Sequence, residues 1–160
     1  MRMTSETKTR ALLYFEDLWS GQMIHTGGNP VSVDAEAIKT FARQFDQQPF
    51  HLDEAKAANT FFRGLVASGW HTTALTMKLM VDGGVPLAGG IIGAGVDELR
   101  WPRPVKPGDR LHVMSEVLEI RPLRSRPDQG LAKVRVTTLN QNNEPVQVMT
   151  CNLVVLRRGS

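Results

Sequence analysis

Residues 45–70 read FDQQPFHLDEAKAANTFFRGLVASGW. Asp46 and His51 are separated by Gln47, Gln48, Pro49 and Phe50. Proline lacks an N–H, fixes its own φ and biases the preceding residue toward extended geometry. Residues 46–51 are therefore expected to form a bent loop rather than a helical turn, with carboxylate and imidazole converging on one water. Ser68 and Gly69 lie further along, directly ahead of an apolar helical run. The first N–H groups of a helix have no partner inside it, so a helix start can hold a developing negative oxygen. The remainder of the chain reads as the scaffold that brings these two pieces face to face.

On the N-terminal side, residues 1–10 are polar and expected to be disordered. Residues 22–26 suggest a strand closing on the turn cluster Gly27, Gly28, Asn29 and Pro30. His25 has no second ligand at metal spacing and reads as an ordinary strand residue. A helix is expected from Asp34, with Val33 and Ile38 placed for a hydrophobic staple across its cap. Ile38, Phe41, Ala42 and Phe45 then fall on one helical face, and the helix delivers the chain into Asp46. Asp53 suits an N-cap for the alanine-rich turn 54–58.

On the C-terminal side, Ser68 suits the N-cap of the next helix, with Gly69 at its first position. Trp70, Ala74, Leu75, Met77, Leu79, Met80 and Val81 make that helix apolar over much of its circumference, so it is expected to be surrounded. Gly83 and Gly84 end it, and its methionines read as adaptable core filler. Beyond it there is no further helical pattern. Residues 90–101 read as a glycine-rich strand, and residues 102–109 as a proline turn with Pro107 and Gly108 suited to the middle of a type II turn. Strands are expected at 111–120, 131–139 and 146–156, with a charged loop at 121–130 and a hairpin turn at 140–144. Three strands of about ten residues exceed the usual 5–6. Long strands after one buried helix suggest an α+β fold in which a curved antiparallel sheet wraps that helix.

The chain has 160 residues, enough for one domain with a sizeable core, and shows no internal repeat or linker. Its net charge of +3 is not concentrated in runs. That suits a phosphate-bearing ligand and gives no support for nucleic-acid binding. Cys151 is the sole cysteine, which excludes an internal disulfide and suits a reducing, cytoplasmic setting. It lies in an apolar strand, where a packed thiol is the ordinary role. No signal-peptide pattern and no apolar run of about 18 residues is present, so no membrane association is expected.

The run Asp46-Gln47-Gln48-Pro49-Phe50-His51-Leu52-Asp53, the later Ser68-Gly69, and Leu99-Arg100-Trp101 with Pro104-Val105 and Pro107-Gly108-Asp109 resemble the MaoC-like dehydratases, which include the (R)-specific enoyl-CoA hydratases. The resemblance spans residues 34–156. Gln48 stands at the family's usual asparagine, and Ser68 at its usual histidine. The resemblance implies a hot-dog fold, a long central helix wrapped by a curved antiparallel sheet. It also implies a homodimer or dimer of dimers with the acyl tunnel at the subunit interface.

For activity it implies reversible hydration of a 2-enoyl thioester, carried by coenzyme A or acyl-carrier protein, in fatty acid metabolism. No cofactor beyond coenzyme A as part of the substrate and no metal is expected. Asp46 is the candidate base that takes a proton from water and returns it to C2. Neutral His51 orients that water, and the Gly69 N–H polarises the thioester carbonyl. Gln48, Ser68, Trp70 and Arg103 are candidate substrate-binding residues. Arg103 belongs to a basic group with Arg100, Lys106 and Arg110, suited to phosphates or to a solvated rim.

Taken singly, Asp46 reads as a turn-former and His51 as the residue ahead of a cap; their occurrence together with Gly69 favours a site. His71 is expected to pack or line a wall, and His112 to be an ordinary strand residue. Thr72, Thr73 and Thr76 offer hydroxyls toward the site. Two other readings remain open here: a thioesterase of the same fold, which would not need His51, and a non-catalytic acyl-thioester-binding protein.

Overall fold

A computed structural model describes residues 11–24, 28–83 and 85–159. His25 and the residues at 1–10 therefore lie outside the described part. A short 3-10 turn, Phe15–Asp17, is followed by strands β1, Met23–Ile24, and β2, Val31–Ser32. Helices α1, Ala35–Phe45, α2, Pro49–Leu52, and α3, Glu54–Ala57, lead to the long helix α4, Gly69–Asp82. Strands β3, Ile92–Arg100, β4, Arg110–Pro122, β5, Gln129–Leu139, and β6, Pro145–Leu156, complete the chain.

The helix starts obey local chemistry. Asp34 accepts from the Ala37 N–H at 2.7 Å and Asp53 from the Lys56 N–H at 2.9 Å. Each thereby satisfies a donor that the helix leaves open. Val33 and Ile38, the expected staple pair, are both buried. Burying a side chain of Ile38's size contributes about 1.5–3 kcal/mol. The other end of that helical face departs from expectation. Phe45 is exposed, and touches Phe41 at a ring-centroid distance of 5.0 Å instead of entering the core.

The sheet is antiparallel in the order β1-β4-β5-β6-β3, with β2 pairing β4 separately. β4, β5 and β6 have 13, 11 and 12 residues, longer than the roughly 5–6 residues of a typical strand. Alternation decides their inner face: Val113, Ser115 and Val117 on β4; Ala132, Val134 and Val136 on β5; Met149, Cys151 and Leu153 on β6 are all buried. The β4–β5 register slips between Val117 and Glu119, and such bulges increase twist and help a long sheet to curl. The turn before β4 has the expected form, with Gly108 at φ 92° and the Asp109 N–H bonded to the Lys106 carbonyl at 3.1 Å.

Helix α4 packs against the sheet but is not surrounded by the described residues. Its inner face is His71, Thr72, Thr76, Leu79 and Met80. Trp70, Met77 and Val81 remain exposed. The apolar circumference reflects two faces with different fates, and the buried one is partly polar. Strand β3 is likewise exposed along nearly its whole length; it pairs with β6 on one side and with no strand on the other among the described residues.

Candidate active site

Helix α1 ends at Phe45, and Asp46 caps it, its N–H bonding the Ala42 carbonyl at 2.9 Å. Gln48 is extended, as the next residue, a proline, requires. The bent loop expected over 46–51 does not form. Pro49 instead opens the helical turn α2, which carries His51. A proline is excluded from helix interiors but suits the first helical position, where its missing N–H costs nothing.

Val66 fixes this turn from outside. Its N–H bonds the Phe50 carbonyl at 3.0 Å, and its carbonyl lies 2.6 Å from His51 Nδ1. A carbonyl only accepts, so Nδ1 carries the hydrogen and Nε2 is left to face Asp46. Nε2 lies 3.2 Å from Asp46 Oδ2. The other carboxylate oxygen accepts from Gln48 Nε2 at 2.6 Å. Burial by itself raises the Asp46 carboxyl. Hydrogen bonds from Gln48 and Ser68, joined by the charge and Nε2–H hydrogen bond that His51 supplies when its ring is protonated, outweigh it and hold the carboxyl below its ordinary value.

Ser68 caps α4, accepting from the Trp70 N–H at 3.3 Å. The Gly69 N–H has no hydrogen-bond partner among the described residues. It stands at the positive end of a 14-residue helix. Gly69 also allows a close approach: a Cβ there would fall 2.6 Å from the Trp101 indole.

Asp46, His51 and Gly69 line one cavity of about 620 Å³. Gln48, Trp70, Thr72, Trp101 and Arg103 line it too, and Phe50, Phe61 and Phe62 form an aromatic wall. Trp70 is 60% exposed, so it borders the cavity from outside the core. Ser68, expected at the substrate, is instead 1% exposed and sits behind the wall, because its hydroxyl is taken up by the helix cap and Asp46. Arg103 is within 3.8 Å of Glu144 and lies between the cavity and a neighbouring groove formed with Arg100 and Pro145. Arg100 pairs with Glu98 at 3.0 Å.

His71 is buried and stacks on Phe41 without lining the cavity, and Thr73 and Thr76 turn to Gln147 instead. Gln147 escapes a motif search. Its trace in the sequence is a polar residue at an inward position of β6, in phase with Met149, Cys151 and Leu153. The Val66 carbonyl leaves no trace, since any residue supplies one. A second concavity, on the outer sheet face, is lined by Asp97, Lys133 and Asn152, which already bind one another: Lys133 to Asp97 at 3.3 Å, Asn152 to Asp97 at 2.9 Å. Among the described residues, no group of three or more His, Cys, Asp or Glu is placed to hold a metal ion.

The family profile described as "MaoC like domain" matches residues 23–140, well over half of the chain. The chain belongs to the MaoC-like dehydratase family. It is 36% identical over 136 residues to the uncharacterized protein YdeM of Bacillus subtilis (strain 168), covering 85% of this chain and 92% of that one. Among solved structures, the MaoC-like dehydratase from Rhodospirillum rubrum is 52% identical with a TM-score of 0.87, covering 92% of this chain and 99% of its own. The R-hydratase PhaJ1 from Pseudomonas aeruginosa is 30% identical with a TM-score of 0.66, covering 91% and 86%. The fold is thus the hot-dog fold of the MaoC-like dehydratases, and family and neighbours support dehydratase or hydratase chemistry.

Proposed function

We propose that this MaoC-like protein is a hydro-lyase adding water reversibly to a 2-enoyl thioester, giving the (R)-3-hydroxyacyl thioester. The observation that carries the reading is the convergence of Asp46, His51 and the unpartnered Gly69 N–H on one cavity. Neutral His51, with its hydrogen held on Nδ1 by Val66, presents a lone pair at Nε2. A water beside the Nε2–Oδ2 contact, within reach of both atoms, gives one hydrogen to each and turns its oxygen lone pair to C3 of the enoyl group. As the C3–O bond forms, the C2–C3 π electrons move toward the carbonyl, and the Gly69 N–H stabilises the enolate oxygen. The Asp46/His51 pair takes the water's proton and returns it to C2. One O–H bond and the C2–C3 π bond break, and C3–O and C2–H bonds form. Dehydration is the same path reversed. Each of these contributions is worth roughly 10²–10⁴ in rate.

The substrate is an acyl thioester of coenzyme A or acyl-carrier protein, with no other cofactor, in cytoplasmic fatty acid metabolism. No helix of the described residues is long and apolar enough to cross a membrane. Arg103, at the cavity rim, meets the carrier's phosphates. The chain works as a homodimer, in which the exposed faces of β3 and α4 are covered by a second copy.

The test is loss of enoyl absorbance with crotonyl-CoA. Turnover in the wild type, and its disappearance in Asp46→Asn with an unchanged melting temperature, is the expected result. Equal turnover in the variant would overturn the assignment. Free thiol released from acyl-CoA without water addition, detected with Ellman's reagent, would make the protein a thioesterase instead.

A further inference from the structure

Gln147 is completely buried, yet neither the Asp46/His51 pair nor the Gly69 N–H touches it. Its Oε1 accepts from Trp101 Nε1 at 2.9 Å and lies 2.7 Å from the Thr73 hydroxyl. Its Nε2 donates to the Thr76 hydroxyl at 3.1 Å, which is itself 2.6 Å from Thr138 Oγ1. One amide of β6 therefore ties the indole of Trp101 to helix α4. Burying an amide is costly unless its polar atoms are paired, and this one has partners at both ends. The indole so held lies against the Gly69 backbone at a separation that leaves no space for a Cβ, and it forms cavity wall beside the free Gly69 N–H. Trp101 is 42% exposed; its indole is held at the helix start by the bond to Gln147 and an edge contact with Trp70, ring centroids 5.5 Å apart, and only the former fixes its N–H.

We propose that Gln147 is a positioning residue for the reaction: it locks Trp101 over the start of α4, and Trp101 in turn presses the thioester carbonyl onto the Gly69 N–H. This rests on the hydratase reading. A freed indole lets the carbonyl drift, and misplacement of about 1 Å is enough to cost about 10²-fold in rate.

The test uses Gln147→Met, which keeps length and removes both polar atoms. Thr73 still reaches the Gly69 carbonyl at 3.0 Å and Thr76 the Thr72 carbonyl at 2.9 Å, so the fold is retained. Trp101→Phe, which keeps an aromatic plane and deletes the N–H, is the second variant should the first not fold. The expected result is a fall in kcat of ~10- to 100-fold with a smaller change in KM. The two losses should not add in the double variant, and the Trp101 indole N–H resonance should move in Gln147→Met. A second readout needs no turnover: the carbonyl carbon resonance of bound, carbonyl-labelled butyryl-CoA should shift downfield on the wild type and return toward its free value on either variant. A moved indole signal with kcat and carbonyl shift unchanged overturns the proposal and leaves the hydratase reading standing. Absent turnover with a carbonyl shift that the variants abolish sinks the hydratase reading and supports the positioning role. No carbonyl shift on the wild type overturns both.

Discussion

The imidazole of His71 lies flat against the ring of Phe41, with centroids 4.7 Å apart and planes 7° from parallel. Its Nδ1 is buried without a hydrogen-bond partner. Burial, and secondarily the nearby His51, push its pKa below the ordinary imidazole value. The folded protein therefore keeps His71 neutral at a pH where the unfolded chain has begun to protonate it. Where the unfolded state binds more protons, stability rises with pH. His71 thus removes stability as the pH falls from the unfolded value of about 6.5 toward the lower folded one.

His71→Phe keeps the stacked ring and deletes the titration. Melting temperatures measured across this window should fall more steeply for the wild type than for the variant, with the two curves running parallel above it. Parallel curves throughout would show that His71 is not held neutral by the fold.

Asp46 works in the same direction, at lower pH. Its carboxyl is held below the usual carboxylate range, so its stabilising contribution is present above the unfolded value of about 3.9 and is lost as the pH falls through the lower folded one. Gln48 donates one of the bonds responsible. In Gln48→Leu the carboxyl carbon resonance of Asp46 should titrate at higher pH than in the wild type. An unmoved titration would show that the Gln48 amide merely rests beside the carboxylate.

Much of this arrangement is legible in the sequence, and the limits have physical reasons. Caps at Asp34, Asp53 and Ser68 are readable because a short polar side chain ahead of an apolar helix has one obvious use. The long strands are readable from their alternation. Pro49 misleads, because the same missing N–H that stops one helix also suits the start of another. The surroundings of α4 stay hidden, because periodicity reports which positions are apolar, not whether the same chain covers them. Residue type is enough to find Asp46, His51 and Gly69. Val66 and Gln147, which hold that site in shape, act through a carbonyl and through a place in the sheet register, and neither has a motif.

Two glycines separate packing from chemistry. A Cβ at Gly69 would meet the Trp101 indole at 2.6 Å; one at Gly130 would meet the Phe15 ring at 2.3 Å. Overpacking of this kind costs about 1–3 kcal/mol. Gly69→Ala and Gly130→Ala should both lower the thermal midpoint, but only Gly69→Ala should lower kcat for crotonyl-CoA, because Phe15 lies away from the cavity. Equal turnover in both variants at a temperature where both are folded would show that the close approach of Trp101 to Gly69 is not needed for the reaction.

Strand β3 exposes Ile92 and Val96 and has one unpaired edge among the described residues, while α4 exposes Met77 and Val81. An open strand edge offers a row of unpaired N–H and carbonyl groups, and large exposed apolar side chains beside it mark a surface that another chain covers. A charge on such an edge opposes pairing, since the ammonium must give up water on association. Val96→Lys should therefore leave the secondary structure unchanged and convert the proposed dimer to a monomer in sedimentation velocity. Turnover should fall with it if the second copy walls the acyl tunnel, and raising the protein concentration should restore both in step. A wild type that sediments as a monomer at every concentration yet still hydrates crotonyl-CoA would show that one copy builds the whole site and that the exposed face of α4 serves something else.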